Sequence, residues 1–88
     1  MIVQPGYAVA RKYSVTIAGH ETSIRIEPAF WEALCAAAHA KHIPVNALIA
    51  AIDAARLVTE PAPNLASAIR QWVLAAAYSS AASPHDQD

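Results

Sequence analysis

Alternation comes first along this chain, and helical periodicity follows it. Residues 13–17, YSVTI, and 21–26, ETSIRI, alternate and are rich in β-branched side chains, as expected of strands with one buried face. Between them AGH at 18–20 offers a turn, so the pair predicts either a hairpin or one long strand bent at Gly19. In the second strand Ile24 and Ile26 fall on one side of the pleat, while Ser23, Arg25 and Glu27 fall on the other. An arginine at the strand's centre is thereby turned away from whatever the isoleucines bury.

From residue 28 the period changes. Pro28 suits the first turn of a helix, where its missing N–H costs nothing. Trp31, Leu34, Cys35 and Ala38 then stand at spacings of 0, 3, 4 and 7, which predicts a core-facing helix from about 28 to 42 that Pro44 ends. Val45, Leu48, Ile49 and Ile52 repeat the same spacing in a second helix, closed by the proline pair of EPAPN. Asn64 is a favoured N-cap for a third helix with Leu65, Ile69, Trp72, Val73 and Ala76 along one face. Residues 1–12 show no sustained period and are expected to form a flexible arm, 13–79 the folded domain, and the polar residues 80–88 a disordered tail. The predicted class is mainly α with a short N-terminal β ribbon, in the order β-(β)-α-α-α.

Composition narrows what such a chain can be. Its 88 residues make one domain at most, and a chain this short buries only roughly 60 to 65% of its unfolded surface when it folds alone. Hydrophobic residues reach 56% but aromatics only 7%, because alanine fills the helices. A lone two-stranded ribbon is marginal in water, so pairing with a second copy is expected. The single cysteine, Cys35, excludes an intramolecular disulfide, and no apolar run follows a basic start. No stretch of about 18 uncharged apolar residues occurs, so a cytoplasmic protein without a membrane span is expected.

Net charge is −1, but it is unevenly placed: residues 1–26 carry a balance of +2 and residues 27–88 a balance of −3. The positive end is the strand end. Cys35, His39 and His42 have a spacing that could hold zinc or copper, yet a fourth ligand is lacking and Cys35 lies on the apolar stripe. No metal or other cofactor is therefore expected. Nucleophilic catalysis would need an oxyanion donor or glycine-rich loop beside Cys35 and His39, and Gly6 and Gly19 lie elsewhere; an enzyme is not expected. Asp53 and Arg56, three apart, form a local helix pair on a solvated face.

SVTIAGH, TSIRIEPAFWEAL, IDAAR and NLASAIRQWVL, spanning roughly residues 13–75, together resemble a bacterial family of small ribbon-helix-helix domain proteins. The resemblance implies an intertwined homodimer in which one strand from each chain pairs antiparallel above interlocked helices. It implies a dimer core of Ile24, Ile26, Trp31, Leu34, Leu48, Ile52, Ile69 and Trp72. It also implies that outward ribbon side chains, here Ser23, Arg25 and Glu21, read base edges in double-stranded DNA, as suits a transcriptional regulator. Arg11, Lys12 and Arg70 are the candidates for phosphate contact. The alternative is a homodimeric module that holds a protein partner and no DNA. A sheet face two strands wide and positive favours the first reading, and one four strands wide and mixed favours the second.

Overall fold

The computed structural model describes residues 7–81; the first six residues of the expected arm and residues 82–88 of the expected tail lie outside them, while residues 80 and 81 of that tail continue the third helix. Strand β1, Arg11–Ile17, pairs antiparallel with β2, His20–Ile26, in a register running from Arg11 opposite Ile26 to Ile17 opposite His20. The connection is Ala18–Gly19, with φ of 52° and 81°. Two positive φ values in a two-residue loop make the type I′ turn that matches the twist of a hairpin. The hairpin is thus the alternative realised. A side chain at Gly19 would meet nothing within 4 Å, so glycine is favoured there for its backbone freedom and not for space. β1 begins at Arg11, two residues before the alternating run, so Arg11 and Lys12 are strand residues rather than part of an arm.

Helix α1 spans Pro28–Ala40, α2 Val45–Leu57 and α3 Leu65–Ala81. Pro28 opens α1, and the Glu27 carbonyl accepts from the Phe30 and Trp31 N–H groups. At the other end His42 takes φ 58°, His42 N–H donates to the His39 carbonyl and Ile43 N–H to the Ala38 carbonyl, each at 3.0 Å. That is the Schellman arrangement with histidine where glycine is usual. Pro44 then turns the chain, its carbonyl accepting from Ala47 and Leu48 N–H as α2 begins. Asn64 caps α3 as its sequence position predicts, with Oδ1 accepting from Ser67 N–H at 2.8 Å.

The inner face of the hairpin lies on the helices. Val15, Ile24, Ile26, Leu34, Ala38, Leu48, Ile49, Ile52, Ala68 and Ile69 form one buried cluster, and no polar residue is buried with them among the described residues. Six of the eight residues assigned to a dimer core, Ile24, Ile26, Leu34, Leu48, Ile52 and Ile69, are buried within the single chain; Trp31 and Trp72 are half-buried at its margin. Tyr13 of β1 stacks on Trp31 of α1 with ring centroids 4.3 Å apart and planes 9° from parallel, fixing the hairpin to the first helix. No described helix is long and apolar enough to cross a membrane.

Candidate nucleic-acid interface

Because side chains alternate across the pleat, burying Val15, Ile24 and Ile26 sends Lys12, Ser14, Thr16, Glu21, Ser23 and Arg25 to the opposite face. All six are exposed and polar. The register sets them in three cross-strand rows: Lys12 opposite Arg25, Ser14 opposite Ser23, and Thr16 opposite Glu21. The first row pairs two cations. In the alternation counted from the two-residue turn it is a pair without mutual backbone hydrogen bonds, where Cα atoms approach to about 4.5 Å and like charges oppose folding. Among the described residues the Arg25 guanidinium finds the Ala10 carbonyl alone, at 3.5 Å. This end of the face presents two cations and hydroxyl donors; the turn end presents the Glu21 carboxylate.

The other cations have different surroundings. Arg11 shares its pleat side with Ile26, opposite in direction to Lys12, so the adjacent basic pair is split between two faces. Arg70 is held by Glu27: its Nε donates to one carboxylate oxygen at 2.9 Å and its Nη2 to the other at 3.4 Å. The Arg70 guanidinium holds the Glu27 carboxyl below its ordinary pKa. This contact ties α3 to the junction of β2 and α1. Arg56 is likewise occupied, with Nε donating to Asp53 at 2.7 Å and Nη1 to the Pro63 carbonyl at 3.1 Å. The Asp53 pair expected on a solvated face is part-buried and also anchors the loop leading to α3.

Nothing among the described residues offers a metal-binding trio of histidine, cysteine or carboxylate groups. Cys35 is half-buried while His39 is exposed, and His42 has left the helix. Burial pushes the Cys35 thiol up from its ordinary pKa, the direction opposite to that of an activated cysteine. A groove between α1 and α3 is lined mainly by alanines, with Lys41, Trp72, Val73 and Ser79.

A family model described as a ribbon-helix-helix domain matches residues 10–77, from just before β1 to the last turns of α3. This chain belongs to that ribbon-helix-helix family. No curated protein and no solved structure matches it. Ribbon-helix-helix domains are in general DNA-binding modules and typically not enzymes, and in this member a two-stranded antiparallel hairpin precedes the helices. Two further contacts join residues far apart in sequence. Asn46 Oδ1 accepts from the Thr16 N–H at 3.2 Å, closing part of the outer edge of β1. Glu27 meets Arg70 across 43 residues of sequence, and no local spacing rule reaches that far.

Proposed function

We propose that this ribbon-helix-helix domain acts as a cytoplasmic homodimer that binds double-stranded DNA through the outer face of its sheet, in transcriptional regulation. The observation that carries this reading is the Lys12–Arg25 pair. Two cations placed side by side on an exposed strand pair work against folding and favour an anion between or above them. Departures from local design rules of this kind concentrate at functional sites. Arg25 and Ser23 are the base-reading candidates, since arginine forms a bidentate contact with guanine and serine pairs with several bases. Lys12 supplies phosphate attraction. Arg11, on the other side of the strand, and Arg70, committed to Glu27, have weaker claims, and Glu21 is a base reader only where it accepts from cytosine.

The second reading, a module that holds a protein partner, is favoured by the width of the sheet. A dimer joined along β2 has four strands, and at about 4.8 Å between neighbours its outer strands stand about 14 Å apart, against a major groove about 12 Å wide. The DNA reading accommodates this only if β1 of each copy rides over the phosphates while the central strands face the groove, an arrangement that would bring Lys12 to the phosphates and Arg25 to the bases. Titration of a duplex carrying the protein's own upstream region tests it over a range of salt. At protein concentrations where both proteins are dimeric, Arg25→Ala is expected to weaken specific binding by roughly 1 to 3 kcal/mol. Lys12→Ala should reduce the salt dependence by about one unit of slope. Arg11→Ala and Arg70→Ala should leave both nearly unchanged. Absence of any low-salt complex with the wild type selects the protein-binding module.

A further inference from the structure

The geometry points to one register for the second copy of this chain: β2 lies antiparallel to the partner's β2 with Ser23 opposite the partner's Ser23, so that Glu21 faces the partner's Arg25. This rests on the dimeric reading above and adds to it which residues meet.

The free edge of β2 comes first. A two-residue turn makes Ile17 and His20 a hydrogen-bonded pair, so His20, Thr22, Ile24 and Ile26 direct their N–H and C=O groups toward β1. Those of Glu21, Ser23 and Arg25 point away from it. On β1 the corresponding edge is partly closed, since Thr16 N–H donates to Asn46. Among the described residues no such contact reaches the main-chain groups of Glu21, Ser23 or Arg25. An uncovered strand edge of this kind is a template for another strand.

Charge and length then choose the register. Keeping both copies' Ile24 and Ile26 on the helix side allows shifts only in steps of two residues along one strand. Ser23 is the midpoint of His20–Ile26, so centring the pair on it engages the whole strand and sets every edge-facing residue against another. It also places Glu21 and Arg25 directly opposite one another twice, once on each side of the twofold axis. Centring on Thr22 or Ile24 forms no opposite-charge pair. Centring on Glu21 or on Arg25 sets like charges face to face, which is unfavourable. The Ser23 register also gives Arg25 a carboxylate on the side away from Lys12, offsetting the repulsion within the hairpin.

Charge exchange in the full chain, read by sedimentation equilibrium, tests the register. Glu21→Arg and Arg25→Glu should each raise the dimer dissociation constant about tenfold or more, by turning both attractive pairs repulsive. The double exchange should return it to within about threefold of wild type, and mixing the two single variants should yield mostly heterodimer. In a Cys35→Ala background, Ser23→Cys should form an interchain disulfide on mild oxidation, because directly opposed, hydrogen-bonded residues have Cα atoms about 5.5 Å apart. Glu21→Cys and Arg25→Cys should not. A dimer that ignores the exchanges, or crosslinks through residue 21 or 25 instead, overturns the register while leaving the dimer standing. A wild-type monomer at micromolar concentration overturns the dimeric reading itself.

Discussion

Ala18 and His42 both occupy the left-handed region without being glycine, at φ 52° and 58°. For an L-residue with a side chain that conformation costs roughly 1 kcal/mol or more, and each position has a reason to demand it: a type I′ turn at Ala18 and a Schellman helix end at His42. Ala18→Gly and His42→Gly are therefore expected to stabilise the protein by about 0.5 to 1 kcal/mol each, even though glycine loosens the unfolded chain. Ala51, exposed in the middle of α2, supplies the opposite sign: Ala51→Gly should destabilise by about 1 kcal/mol. Urea titrations of the three variants compare them directly. Equal losses in all three would mean that neither turn has the geometry described.

How elements hold one another is tested at Glu27 and Ile24. Glu27 has its pKa lowered in the folded chain, first by the hydrogen bond from Arg70. A carboxyl of this kind stabilises the fold above its ordinary pKa, and the stabilisation is lost as pH falls through the lowered folded value. Both side chains are more than a third exposed, so the effect is modest and screened by salt. Glu27→Gln is expected to flatten that part of the acid limb in thermal melts at low salt, and Arg70→Gln to do the same from the other side. A second prediction concerns the strand faces. Ile24→Asp puts a carboxylate into a site 6% exposed and is expected to unfold the chain at a cost of several kcal/mol, whereas Ser23→Ala should leave the melting temperature nearly unchanged. The helices were legible in sequence because spacings of 0, 3, 4 and 7 admit one burial direction, and the Asn64 cap because its chemistry is local. The hairpin was less so. An Ala–Gly turn lacks the usual asparagine or aspartate signal, and charged Arg11 and Lys12 look like an arm until Ile26 and Arg25 are set beside them. The partners of Arg70 and of the Thr16 N–H are brought together only by the packing of helices on the sheet.

For the whole molecule the outer face decides between the two functional readings, and Glu21 is the residue that separates them. Each chain places Lys12, Arg25 and Glu21 on that face, a balance of one positive charge, so Glu21→Gln doubles the net charge presented by each copy. If the face approaches phosphate, removing a like charge strengthens sequence-independent binding, since that term depends on the charge facing the DNA. The same substitution weakens the proposed Glu21–Arg25 contact between copies. The measurement therefore belongs at protein concentrations where sedimentation reports a mass about twice 9.3 kDa for both proteins. Under that condition Glu21→Gln is expected to bind random-sequence duplex severalfold more tightly than wild type at low salt, with the gain shrinking as salt rises. A face that holds a protein partner in place of DNA has no phosphate to attract, and its affinity for random duplex would not change. Lys12→Gln provides the opposite displacement, weakening the same complex, so that a gain with one variant and a loss with the other identifies the sheet face, rather than the helices or the arm, as the surface that meets DNA.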